Sequence, residues 1–289
     1  MQTQISNKAV LVSLRISCWI PSKTDKQVTS EVILAKAAAS DAGAFKKNVL
    51  PEAAYRPLQA MSQNIRRFHY NLTSPWLDEG ARILPAELQQ EYADKMRQLR
   101  GEYAALVTQQ FNDTAYEGYI NEAKPRLGAM FNPNDYPTAE QVRQKYGVSV
   151  VFTPLPESED FRLKLNNDIV DEMKAQYEAE LKNHETVIKR DIYARLGAKV
   201  GHLSKKLKDF DVSGGEGKRL HGTLIEGVRD ICRLIPALNI HDDPEIEQIK
   251  NETLARVARW EIDTIKDDEA VRKEVVTDAD AILRSMGLA

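Results

Sequence analysis

The sequence predicts a mainly α-helical fold: an elongated helical bundle with a long helical hairpin or coiled-coil-like arm and a small two-stranded β element. Three observations carry that expectation. Proline and glycine are scarce, 12 and 14 in 289 residues, which favours long helices over a loop-rich β architecture. An apolar stripe recurs at helical spacing from Leu165 to Leu207. Only two stretches carry the alternation or β-branched enrichment of a strand.

The first of these is "KAVLVSLRISCWIP". Leu14, Ile16 and Cys18 fall on one side, Arg15 and Ser17 on the other, and Pro21 ends the run. Alanine-rich Thr29 to Lys47 reads as a helix. Pro51 and Pro85 each open another, because proline at the first helical position lacks only an N–H that would be unpaired there. In "DYPTAEQVRQKYG", Thr138 and Gln141 match a capping box and Gly147 is the stop. The second strand is "VSVVFTPLP", Val148 to Pro156. Two such strands make a ribbon that needs helices packed against it.

The long helix runs from about Ser158 to Phe210. Its packing seam is Leu165, Ile169, Met173, Tyr177, Leu181, Ile188, Ile192 and Leu196, continued by Val200, Leu203 and Leu207, with His184 on the same stripe. The steps are fours with occasional threes, closer to an eleven-residue repeat than to a heptad, so a left-handed supercoil does not follow. Gly197 and Gly201 share a face and allow a neighbouring helix to come close. Three more helices follow, over 218–238, 244–265 and 268–286, with Asp243 as N-cap and Pro244 at N1 of the second. The expected divisions are 1–156, a helical region with the β element; 157–212, the arm; and 213–289, a C-terminal helical region.

Net charge is −3, with 42% hydrophobic and 29% charged residues. That balance is ordinary for a folded soluble chain and argues against a basic nucleic-acid coat. Cys18 and Cys232 sit in apolar contexts and read as buried free thiols. No charged region leads an apolar segment at the start, and no 18-residue apolar run occurs, so the expectation is a cytoplasmic protein with no membrane association.

The sharpest catalytic signal is "SGGEGKRLHGT", Ser213 to Thr223. A phosphate loop needs G-x-x-x-x-G-K-[S/T] between a buried strand and a helix. Here Arg219 follows Gly217-Lys218 where the hydroxyl should be, Gly214 is too near, and the preceding segment is amphipathic; the run reads as a turn. His241-Asp242-Asp243 reads as a cap, not a metal site. The five histidines form no H-x-x-x-H pattern. His69, Asp78 and Glu79 near Trp76 could hold an acid/base pair, but a helix end and an anchored loop account for them. No catalytic, cofactor or metal residue is assigned, and the expected protein is not an enzyme. Lys199, Lys205, Lys206 and Lys208 form a basic helix face that could contact phosphates. It lacks the interleaved aromatics that stack bases.

Two regions together carry a resemblance. One is "AVLVSLRISCW" with "NLTSPW" and "ARILPAELQQEYADKMRQLRGEY"; the other is "FNPNDYPTAEQVRQKYGVSVVFTPLPESEDFRLKL" with "LNIHDDPEIEQI". The chain resembles an uncharacterised protein family of tailed phages and conjugative elements, a domain of unknown function. Genes of that family often lie beside MoxR/CobS-type AAA+ ATPases, von Willebrand-A-like proteins and phage-type recombination genes. The resemblance implies no catalytic residues. It implies an interaction, scaffold or adaptor protein of a mobile element, working with such an ATPase and able to self-associate, with 218–289 as the expected docking surface. The alternative is an accessory nucleic-acid-binding protein in recombination or replication, using Lys199 to Lys208 and Arg66-Arg67.

Overall fold

A computed structural model describes residues 7–76, 80–155, 167–210 and 220–288, with side chains from 167 to 182 described only at 175 and 179. In chain order the elements are β1 (Ala9–Ser17), β2 (Ser22–Thr24), α1 (Lys26–Ala35), β3 (Lys46–Asn48), α2 (Glu52–Leu72), β4 (Ser74–Pro75), β5 (Arg82–Pro85), α3 (Gln89–Gln110), α4 (Asp113–Leu127), α5 (Ala139–Arg143), β6 (Gly147–Thr153), α6 (Asn167–Lys208), α7 (Thr223–Leu238), α8 (Pro244–Arg256), α9 (Ile262–Asp267) and α10 (Glu269–Ser285). The fold is mostly helical with a small antiparallel sheet. Among the described residues, no helix is long and apolar enough to cross a membrane.

Two compact units share the chain. Unit 1 gathers residues 1–13, 71–90 and 152–289; unit 2 gathers 14–70 and 91–151. The main sheet has the order β4-β5-β1-β6, with β5 antiparallel to β1 and β4. The two strands expected from period-two patterning, β1 and β6, are neighbours in it. The pattern-poor β4 and β5 enlarge it beyond a ribbon, and a separate two-stranded pair joins β2 to β3.

Unit 1 is built on α6. Ile188, Ile192, Leu196, Val200 and Leu203 are almost wholly buried, and the helix packs along α7 and α10. Steps of three and four keep these residues on one face, so a single stripe meets both neighbours. Gly197 admits Leu288 so closely that a Cβ there would lie 2.3 Å from its Cδ1. The α7 face of Ile225, Val228, Ile231, Cys232 and Ile235 is equally buried. Both cysteines are free, and burial pushes the Cys232 thiol up to about 11.

The helix expected over 244–265 is two helices. The chain leaves α8 at Arg256 and re-enters at Ile262. Arg229 on α7 takes up the carbonyls freed there, donating to Ala258 at 2.9 Å and Trp260 at 3.2 Å, and pairs with the Glu261 carboxylate. Arg272 does the same for the end of α9, donating to the Ile265 and Lys266 carbonyls. Helix ends buried without such donors would be costly.

Unit 2 packs α2 and α3 around Leu58, Ile65, Tyr92, Met96 and Tyr103, with Phe111 and Val142 closing the core. The Thr138–Gln141 capping box is present on both arms. The alanine-rich helix is shorter than its composition suggests. It ends at Ala35, and Ala37 turns with φ 48°. The chain must reverse so that β3 can pair with β2. Asp25 and Thr29 hold the reversal, the former through its N–H to the Phe45 carbonyl, the latter by accepting the Phe45 N–H.

Candidate functional site

Two features of the molecule have no role in filling a core. The first is α1. It is the one α-helix in either unit with no buried residue among those described. Asp25 caps it, accepting from Val28 N–H, and also receives the Lys47 ammonium at 3.0 Å. Lys47 is buried between Asp25 and Asp135 and donates to the Met130 carbonyl. Burial alone would lower the lysine's pKa, but the bonds to Asp25 and Asp135 outweigh it and the shift is upward. Its hydrogen bond in turn holds the Asp25 carboxyl below the usual carboxylate range. This charged clasp fixes the base of α1 to the rest of unit 2, whereas the helix buries none of its own residues; Val28 and Ile33 are half-buried and Val32 and Leu34 exposed. Val32 is 48% exposed, Leu34 80% and Phe45, just before β3, 38%. Val32, Ile33, Ala42, Ala44 and Phe45 line a hollow of about 360 Å³.

The second is a polar cluster inside unit 1. His184 Nε2 lies 2.9 Å from the Pro75 carbonyl, which can only accept, so this nitrogen carries the proton. In the neutral ring Nδ1 is then an acceptor, and His241 Nε2 donates to it at 3.4 Å. His241 Nδ1 faces Glu185 at 3.6 Å. Trp76 packs edge-on to His184 with centroids 4.8 Å apart. Burial pushes both histidines below their ordinary pKa; the Pro75 carbonyl opposes this at His184, and Glu185 opposes it at His241.

Local sequence explains how His241 gets there. Buried Asn239 bonds Asp243 twice, accepting its N–H and donating to its carbonyl. Asp242 adopts φ 55°, a conformation that aspartate tolerates better than most residues. Asp243 caps α8 through Glu245 N–H and pairs with Lys189 at 2.9 Å. Lys189 also binds Glu245, and Lys8 binds Asp242 at 2.6 Å. The cluster is a brace between α6 and the turn before α8, made by the Asp243–Lys189 ion pair and the His184–His241 contact. Among the described residues no group of three or more His, Cys, Asp or Glu could hold a metal ion.

The remaining sequence-singled residues are scattered. Lys208 is bound to Asp280 at 2.8 Å, and the Lys199 stem lies over Gly227. Lys205 and Lys206 are exposed. Arg67 is held by Asn64 at 2.8 Å. His69 is buried and bonded to Tyr92 at 2.8 Å. Ile188, Ile192 and Leu196 are buried. Ile169, Met173, Tyr177 and Leu181 lie on α6, but their side chains, like Leu165, Asp78, Glu79 and residues 213–219 of the glycine run, are outside the described residues. Neither the α1 face nor the histidine pair is announced by a motif. The signal available for the pair was a histidine on the apolar stripe of the long helix and a second in a capping turn. No protein-family model, curated protein or solved structure matches this chain.

Proposed function

We propose that this protein is a non-enzymatic adaptor of a phage or mobile element that presents α1 to a protein partner, the partner being a MoxR/CobS-type AAA+ ATPase of the same element. The observation that carries the reading is that α1 buries none of its residues and exposes Val32 and Leu34. A helix this short is marginal in water without packing, yet it is clamped at its base by Lys47 and leaves Val32 and Leu34 to solvent. The docking surface expected over 218–289 is less suitable, because α7, α8 and α10 spend their apolar faces within unit 1. The resemblance to proteins encoded beside such ATPases supplies the partner and the cytoplasmic setting. In this reading α6, with 42 residues, is the stem of an elongated helical arm with α7 as its hairpin partner.

The contact should be of standard size, roughly 1,200–2,000 Å² in total. Co-expression with the ATPase and size-exclusion chromatography, with and without ATP, tests it. The wild-type protein should co-elute, and a Val32→Asp/Leu34→Asp variant of unchanged melting temperature should not. Separate elution of the wild-type proteins, or co-elution of the variant, contradicts the proposal. Elution at twice the monomer mass without the ATPase would assign the same face to self-association.

A further inference from the structure

Unit 2 carries a second surface, on elements that α1 does not touch in sequence. An open groove of about 600 Å³ lies between α3 and the junction of α5 with β6. Arg97, Arg100 and Arg143 stand around it, Ala104, Val107 and Tyr146 contribute its apolar lining, and among the described residues no Asp or Glu lines it. On α3 the residues 97, 100, 104 and 107 are spaced by threes and fours, so they share one face.

The three guanidiniums differ in how far they are committed. Arg143 is fixed by donating to the Phe111 carbonyl at 2.6 Å, with Asp113 only at 3.7 Å and largely in water. Arg97 pairs with Asp94 one helical turn away, and both are more than half exposed, so a ligand carboxylate can compete for it. Arg100 is exposed and makes no hydrogen bond or ion pair among the described residues. Gly101 sits beside it in mid-helix, where glycine weakens a helix. Nothing lies within 4 Å of where its Cβ would be, nor at Gly147 across the groove. Packing within the protein therefore does not demand these glycines; they keep the groove open to an approaching backbone.

We propose that this groove binds an extended acidic segment of a partner polypeptide, its carboxylates on Arg100, Arg97 and Arg143 and an intervening apolar side chain over Ala104 and Val107. Guanidinium forks match carboxylates in two-point hydrogen bonds. A single-stranded nucleic acid is a poorer fit. The lining tyrosines are buried and turn their hydroxyls inward, Tyr103 to the Ser17 carbonyl and Tyr146 to the Trp19 carbonyl, each at 3.0 Å. They offer no exposed ring on which a base could stack.

The test uses the full-length protein and three fluorescein-labelled probes: a twelve-residue alternating Glu-Leu peptide, the same peptide with Gln for Glu, and a twelve-nucleotide oligothymidine. Anisotropy should show binding of the Glu peptide alone. Arg100→Glu, at an exposed and uncommitted position, should weaken it at least about tenfold, as should raising the salt from roughly 0.05 to 0.3 M. Gly101→Leu should also abolish binding while leaving the melting temperature equal or higher, since leucine is the better helix former. Absence of Glu-peptide binding, equal binding of the Gln peptide, indifference to Arg100→Glu, or tighter binding of oligothymidine each overturns the proposal. The Val32→Asp/Leu34→Asp variant should bind the peptide normally, so failure at α1 and failure here are read separately.

Discussion

Helices α1 and α6 make opposite uses of apolar residues. On α6, Ile188, Ile192, Leu196, Val200 and Leu203 are buried, and the polar residues at its turns are tied to partners, as Arg195 is to the Asn71 and Thr73 carbonyls. On α1, Val32 and Leu34 face water, and what holds the helix is a buried ammonium between two carboxylates at its base. Apolar burial makes α6 indispensable to unit 1. A charge clasp makes α1 attached but not buried. The difference is one of energetics, and substitutions can measure it.

The largest effect should come from a charge in the α6 seam. Ile192→Asp places an uncompensated carboxylate where the native side chain has no exposure, and should cost about 3–5 kcal/mol in urea denaturation. Next is a cavity in the same seam: Leu203→Ala, also at a fully buried position, should cost about 2–5 kcal/mol. Loss of less than about 1 kcal/mol at both sites would erase the contrast with α1.

A pH effect of intermediate size belongs to the brace of α6. His184 and His241 have folded-state pKa values below the ordinary 6.5. As the pH falls through 6.5 the unfolded chain takes up protons first, so the unfolded state is favoured. Stability should be complete above that value and decline below it until the pH passes the depressed folded pKa. Asp243, whose own pKa is held down despite its burial by the Lys189 bond, contributes only at lower pH. Melting temperatures between pH 7.5 and 5 should fall for the wild type and fall less for His184→Gln. An equal slope in both would remove the pair from the account.

The smallest effect should be on α1 itself. Leu34→Asp changes a side chain that is 80% exposed and should shift stability by no more than about 0.5 kcal/mol. A loss like that of Ile192→Asp would mean that α1 is part of a core after all.

What the sequence made legible was local. The Thr138–Gln141 box and the Asp243–Pro244 start are settled within four residues, and both are present. The β1 and β6 strands follow from their own alternation and β-branching. What was illegible depends on partners distant in the chain. The break after α8 is stabilised by Arg229, about thirty residues earlier, while the intervening apolar spacing reads straight through. Alanine propensity overstated α1, because the β2–β3 pairing overrides it. β4 and β5 are too short to show a period. His184 and His241 were each visible, as a stripe histidine and as part of a capping turn, but not as a pair across 57 positions.

Hydrogen exchange followed residue by residue along α1 and α6 tests the contrast most directly, because protection reports the free energy of local opening. In the protein alone, amides of 26–35 should exchange far faster than those of 188–207. Addition of the MoxR/CobS-type ATPase should slow exchange in 26–35 and leave 188–207 unchanged. If α1 is already protected as strongly as α6, or if saturating ATPase leaves its exchange unaltered, α1 is not a surface held for that partner.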